Sequence, residues 1–474
     1  MEPSIEPAGG SEQTRYNKAT GDLVAICVAY FMVILDTTVV NVALPTIGKS
    51  LRTTTTGLEW VVDAYSLAFG ALLLLAGALS DRRGAKSVFQ AGVALFAFAS
   101  AACGLAPSIS VLVAARVLQG VGAALAVPAS LALLHASYPD QADRRRAFGV
   151  WGGVAGIAAA AGPVAGGALV AGLGWRWVFL VNLPIATAGL VLGSRYLPAL
   201  PRRTGRFDLA GQILGAAALV ALTAALVEVG NSGWGSTMVA GGLGAFAVFG
   251  AGFVAVERTG REPMLPPSLF SSHTFSAATS VGLQINFAFY GELFVASLYL
   301  QDVHHMSPLL AGVALLPQMT MAVVGSAASG RLMARRDPRS AMLTGLVVGA
   351  TGFAGVGLLG GAHAPYWPLV VPMAAAGLGM ALTMPAATAA VMEAAPAGHG
   401  GLASGTLNAA RQVGGVVGVA LLGTLVVEHA GHVNRAGHMD HAGSVGGFGL
   451  AMGIASGAFV LGAVLAGFAV GRSN

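Results

Sequence analysis

Two ionisable residues in apolar company carry the chemistry of this chain. Asp36 interrupts LVAICVAYFMVILDTTVVNVALP, residues 23–45, together with Thr37, Thr38 and Asn41. That stretch is long enough, at ~1.5 Å per residue, to cross the ~30 Å of hydrocarbon in a bilayer. A carboxylate well inside such a span is costly and marks a functional site by default. Arg116 interrupts a later apolar run, in ARVLQGVGAA at 115–124. With the orientation derived below, Asp36 lies ~13 Å and Arg116 ~10 Å beneath the same outer surface. An unpaired charge in hydrocarbon is expensive, so equal depth predicts that the two meet in at least one state, directly or through water or a polar neighbour. Such a pair is either a static ion pair or a carboxylate that loads and releases a proton as its surroundings alternate.

Other candidates follow from the same rule. Asp63 sits near the outer end of the second apolar run, where an interfacial Asp in contact with water is one reading. Glu292 lies deeper, in FAFYGELFVASL, with Phe287, Phe289, Tyr290 and Phe294 around it. An acid among aromatics suits a lipophilic cation through charge attraction and cation–π contact, or serves as a second proton carrier. Asn41, Asn286, Phe287, Tyr290, Phe294, Asp63 and Glu292 form the expected substrate set, and Asp36, Arg116 and Glu292 the expected proton-coupling set. Gly152, Gly156, Gly162, Pro163, Gly166 and Gly167 strip side chains from one run, as expected for a sealing or rocking surface. Asp81 with Arg82, Arg83 and Lys86 can form a charged clamp at the inner side. Arg411 opens its run near the inner surface, where snorkelling to headgroups is the default. His429, His432, His438 and His441 lie at 428–443 in what reads as a solvated, pH-sensitive loop; no metal site is expected.

The elements that must position these residues are membrane helices. The chain of 474 residues is 55% hydrophobic and 9% charged, with a mean hydropathy of +0.74. Soluble domains carry about 25% charge, so this is an integral membrane protein. Fourteen apolar runs recur between residues 22 and 470 with no room for an extramembrane domain, and none has the short alternating pattern of a barrel strand. Of the 25 Lys and Arg, only Lys49, Arg52, Arg176 and Arg435 fall in outer segments when the N-terminus is inside, and Arg116 and Arg411 fall within runs. The rest are internal, which fixes the expected topology and explains the net charge of +5 without nucleic acid as a partner. Cys27 and Cys103 lie in apolar runs as small hydrophobes. No cleavable signal is expected ahead of the first run.

The halves echo each other: GALSDRRGAK at 77–86 follows the second run and GRLMARRDPR at 330–339 follows the tenth. Two six-helix units with two inserted helices between them are how such a repeat is read. The expected divisions are an N-terminal tail (1–21), a first six-helix bundle (22–196), a linker holding two inserted helices (197–273), a second bundle (274–470) and a short tail (471–474).

Over residues 20–470 the chain resembles the fourteen-spanner drug:proton antiporter branch of the major facilitator superfamily. LDTTVVNVALP at 35–45 and WVVDAYSLAFG at 60–70 are similar to its first two helix signatures. Gly77, Asp81, Arg82, Gly84 and Lys86 match the loop signature between helices 2 and 3. ARVLQGVGAA, with Gln119 and Gly120, resembles the helix-4 signature, whose Arg is implicated in proton coupling. AGPVAGG at 161–167 resembles the helix-5 antiporter signature, with Ala158 where Gly is frequent. WRWVFLVNLPIA at 175–186 and LPPSLF at 265–270 also look branch-specific. The resemblance implies an all-α integral membrane protein of major-facilitator type, fourteen helices with both termini cytoplasmic. It implies a monomeric multidrug efflux antiporter of a bacterial cytoplasmic membrane, exchanging protons for lipophilic, cationic drugs or antibiotics. It adds that an acid at position 63 occurs in relatives that handle cationic drugs.

No phosphate-binding loop is present, so ATP is not the expected energy source, and no cofactor is expected. No nucleophile–base or metal set converges in sequence, and a few intramembrane acids between two helix units fit alternating access better than a pore. A dedicated exporter of one metabolite, such as a self-made antibiotic or siderophore, and a non-transporting sensor or scaffold are the alternative readings.

Overall fold

A computed structural model describes residues 9–138, 140–199, 209–260, 267–335, 337–361, 365–395, 400–429 and 441–470. Among them there is no strand. The long helices are α1 (Gly9–Leu51), α2 (Thr55–Arg83), α3 (Ala85–Gly104), α4 (Ile109–Ser137), α5 (Gln141–Leu173), α6 (Trp177–Tyr196), α7 (Leu209–Ser232), α8 (Thr237–Thr259), α9 (His273–Val303), α10 (Pro308–Met333), α11 (Pro338–Leu359), α12 (Trp367–Ala394), α13 (Gly400–His429) and α14 (His441–Ala469). Thirteen of these are long and apolar enough to cross a membrane. The other, α2, is 29 residues long and packs among them. The expected all-α membrane fold is therefore observed. Helix α1 begins at Gly9, inside the stretch 1–21 expected as a tail. The basic segment 201–208 and most of the His-rich segment, 430–440, lie outside the described residues.

Helix starts sit where the sequence supplies caps. Ser108, Ser236, Ser272, Ser307 and Asp337 each accept a bond from a first-turn N–H of the helix that follows, which satisfies a donor that no helical carbonyl can reach. Pro308 and Pro338 stand at the first helical position, where the missing N–H costs nothing. The tight turn from α2 into α3 is made by Gly84, at φ 92°, a conformation side chains disfavour.

The helices associate in two groups, α1–α6 and α9–α14, with α7 against α2 and α13 and α8 against α7. Close packing uses glycine. A Cβ at Gly92 would lie 2.7 Å from the Ala126 nitrogen, and one at Gly122 2.6 Å from that of Phe96, so α3 and α4 meet backbone to backbone. Helix α9 is the most enclosed span, with 89% of its apolar window buried, and α8 the least, with 6%.

The groups touch along three seams: α2–α13, α5–α10 and α1–α9. The last two seams lie toward the end that the charge bias assigns to the outside. In α1, Pro45 has no N–H to give the Asn41 carbonyl, and that carbonyl instead accepts the Ser297 hydroxyl of α9 at 2.7 Å. The Gln301 amide donates to the Val42 carbonyl at 3.0 Å. Between α5 and α10, a Cβ on Gly167 would lie 2.7 Å from the Leu309 Cα. Toward the opposite end, Gly149, Gly152, Gly153 and Gly330 face open space. Across the middle of the seams, Gly70 of α2 abuts Gln412 of α13.

Candidate functional site

Asp36 and Arg116 meet. Arg116 Nη1 donates to Asp36 Oδ2 at 2.5 Å, with the side chains 1% and 0% exposed. Helices α1 and α4 bring them to one depth, as their spacing from the outer ends predicted. The rest of the shell comes from α3, α4 and α6. Gln119, one turn below Arg116, donates to Asp36 Oδ1 at 2.8 Å while its own oxygen accepts from Arg116 Nη1 at 2.8 Å. Asn182 of α6 donates to the same Oδ1 at 2.8 Å. Ser100 of α3 accepts from Asn182 at 3.0 Å and from Gln119 at 3.2 Å, and passes its hydroxyl to the Phe179 carbonyl at 2.8 Å. Arg116 Nε donates to the Val61 carbonyl at 2.9 Å, and the guanidinium carbon lies 4.3 Å from the centre of the Tyr65 ring.

The carboxylate thus accepts three bonds, the pattern that makes a buried charge tolerable. The arrangement can do one thing well. A proton on Asp36 would cancel the charge that Arg116, Gln119 and Asn182 all converge on, and the network would have to rearrange. Ser100, Asn182 and Tyr65 were not anticipated. A polar Asn inside the apolar run VFLVNLPIA was the available signal for Asn182.

The helix-5 glycines connect this cluster to the seam. Gly162 abuts Thr38, and a Cβ at Gly166 would lie 2.7 Å from the Val39 carbonyl, so α5 rides on the residues just after Asp36. On its other side, Pro163 abuts Gly312 and Gly167 abuts Pro308, both in α10. Gly120 lies against the Tyr65 carbonyl of α2. At the inner turn, a Cβ at Gly77 would lie 3.9 Å from Pro128, and Lys86 donates to the carbonyls of Ser194 and Leu197 at 3.0 and 2.8 Å. Lys86 therefore caps the C-terminus of α6, where a cation is favoured. Arg82 is exposed, and the Asp81 side chain lies outside the described set.

The expected substrate residues divide. Asn41, Asn286, Phe287, Phe294, Asp63 and Glu292 are all buried in helix packing. Asn41 donates to the Thr37 carbonyl at 2.9 Å. Glu292 accepts from Gln318 of α10 at 2.7 Å. Among the described residues the Asp63 oxygens have no hydrogen-bond partner, and neither do those of Glu59, one turn away on α2 and unanticipated. Glu59 lies against Gly423 of α13, next to Phe294. Only Tyr290 is half-buried, beside Gly415 and within electrostatic reach of Arg411.

Arg411 does not snorkel. Its Nη2 donates to the Met384 carbonyl at 3.1 Å and the Thr388 hydroxyl at 2.7 Å on α12, and its Nη1 reaches Asn408 at 3.5 Å. Tyr30 of α1 lies within its electrostatic reach and stacks on Trp151 of α5, with centroids 3.8 Å apart and planes 7° off parallel. These side chains are half-buried, unlike the sealed Asp36 cluster. They come from both helix groups.

Known proteins resemble this chain along nearly its whole length. Residues 26–419 match the family model described as Major Facilitator Superfamily. A methylenomycin A resistance protein of Bacillus subtilis is 37% identical over 422 residues, covering 89% of this chain and 91% of that protein. A puromycin resistance protein of Streptomyces alboniger is 38% identical over 459 residues, covering 94% and 90%. Among solved structures, a bacterial homologue of the human lysosomal transporter Spinster, in an inward-facing and unoccupied conformation, superposes with a TM-score of 0.68 at 16% identity, covering 96% of this chain and 97% of that one.

Proposed function

The chain belongs to the Major Facilitator Superfamily and is a multi-pass transporter of the bacterial plasma membrane, not an enzyme; from that premise we propose that it exports lipophilic drugs or antibiotics in exchange for protons by alternating access. The relatives named for resistance support the efflux direction. The observation that carries the proton coupling is the sealed Asp36–Arg116 pair with Gln119 and Asn182 around it.

In this reading a proton entering from the outside neutralises Asp36 and releases Arg116 from its counter-ion. The change is transmitted locally. Thr38 and Val39 follow Asp36 on α1 and bear on Gly162 and Gly166 of α5, whose other side meets α10 across the seam. The seam can then exist in two arrangements, one per side of the membrane. Residues 22–196 and 274–470 act as the two moving bundles, with α7 and α8 inserted between them in sequence and α7 bridging α2 and α13. Each elementary charge crossing 100 mV is worth about 2.3 kcal/mol, enough to drive such a cycle. By the charge rule the α1–α9 and α5–α10 seams close the outer side, so this is the state that receives drug from the cytoplasm. The cationic preference expected from Asp63 and Glu292 requires the α2–α13 and α9–α10 contacts to part and expose those acids to the drug.

A second reading, export of one dedicated antibiotic, is favoured by relatives named for single compounds. Resistance profiles of expressing cells against a panel that includes methylenomycin A and puromycin separate broad from dedicated export. Coupling is tested in everted vesicles by proton movement on adding each drug. Retention of that movement in Asp36→Asn refutes the coupling assignment.

A further inference from the structure

Arg411 is a charge without a counter-ion. The other arginine that interrupts an apolar run, Arg116, has its carboxylate at 2.5 Å. Arg411 has a backbone carbonyl, a hydroxyl and an amide oxygen, and its Nε is buried with no acceptor. A guanidinium stays charged at all accessible pH and offers five donors in a flat fork suited to a carboxylate. Uncompensated charge at membrane depth faces a cavity and marks a ligand path. No acid among the described residues serves it: Asp36 is bound to Arg116, Glu292 to Gln318, and no ion pair to Arg411 forms. The ionisable groups within its reach are the phenols of Tyr30 and Tyr290.

The same place offers a flat surface. The stacked Tyr30–Trp151 pair presents conjugated rings, and Trp151 Nε1 is a second buried donor with no acceptor. Stacked rings, a guanidinium with neutral partners alone and an unanswered Nε–H, and a lone indole N–H together complement a planar molecule that bears negative charge. The geometry points to a binding site for conjugated organic acids, a carboxylate or enolate on a flat ring frame, with Arg411 as its anion anchor and Tyr30–Trp151 as its platform. The site deepens the efflux reading and rests on it for the direction of transport. It assigns the substrate the charge opposite to the one that Asp63 and Glu292 suggested. An anion leaving while a proton enters moves two positive charges inward per cycle, so the membrane potential drives both legs.

The test is binding to the purified full-length protein in nanodiscs, by calorimetry, with three probes of one shape: 2-naphthoate, 2-naphthamide and 2-naphthylmethylammonium. Naphthoate should bind about ten- to a hundredfold more tightly than naphthamide, as one charge-assisted contact warrants. Arg411→Gln should erase that preference and keep naphthamide binding, and Trp151→Ala should weaken both. Tighter binding of the ammonium probe, or a naphthoate preference that survives Arg411→Gln, overturns the proposal. If Arg411→Gln also loses naphthamide, Arg411→Lys decides: it must keep part of the preference, or the proposal falls. These measurements need no proton gradient. Failure of the Asp36 coupling test therefore leaves the anion site standing, and failure here leaves the coupling assignment standing.

Discussion

Removing one partner of the Asp36–Arg116 pair should cost far more than removing both. Two unit charges with centres ~4 Å apart interact by about 4 kcal/mol at an effective dielectric of about 20. Here both side chains are essentially inaccessible, so little solvent screens them. Asp36→Asn leaves Arg116 with the Val61 carbonyl and the Gln119 oxygen but no anion. Breaking a buried pair in this way typically costs about 3–5 kcal/mol, whereas replacing both partners with apolar groups is often close to neutral. Asp36→Asn and Arg116→Met should each lower the midpoint of SDS-induced unfolding, and the double variant should recover at least half of the summed loss. The coupling energy from that cycle should be at least about 3 kcal/mol. Losses that add to within about 0.5 kcal/mol would mean that the two side chains do not hold each other, and the reasoning from matched depth would fail.

Three further outcomes follow. Gly167→Val should block turnover while the protein still inserts and binds drug, because its Cβ would meet Leu309 and Pro308 on α10; crosslinking across the α5–α10 seam should fall in parallel. Glu59→Met should raise thermal stability by about 1–3 kcal/mol, since both carboxylate oxygens are buried without partners among the described residues; a lower melting temperature would show that Glu59 has a partner in the membrane. His304, outside the spans, has its affinity for protons lowered from the usual 6.5 by burial and then by the charge of His305. The unfolded chain then binds that proton more tightly, so stability is complete above pH ~6.5 and declines as pH falls below it. Thermal melts of His304→Gln should show a shallower acid slope than wild type.

The membrane helices and the central ion pair were legible in the sequence because both obey one-dimensional rules: length in apolar residues, and depth counted from a span's end. Facing was not legible. Asn286 and Phe287 belong to the expected substrate set, and α9 packs that stretch against a neighbour, with the Phe287 carbonyl against Gly418 of α13. Asn182 and Ser100 look like isolated polar residues until α3 and α6 are packed beside α1. Arg411 lies only about eleven residues, or ~16 Å, into α13, which by counting alone is snorkelling distance. Its bonds to Met384 and Thr388 tie it to α12 instead, and a contact between two helices leaves no trace in a linear pattern.

The seam between α1 and α9 is made by neutral side chains reaching main-chain carbonyls, at Asn41 and Val42. Dissolved ions do not weaken such contacts as they weaken exchanged charges, so the latch should hold equally in dilute and in saline media. Its acceptors also belong to every amino acid alike. Drift at positions 41 and 42 can therefore retune the chemistry of α1 without unlatching the outer door, provided Pro45 keeps one carbonyl vacant.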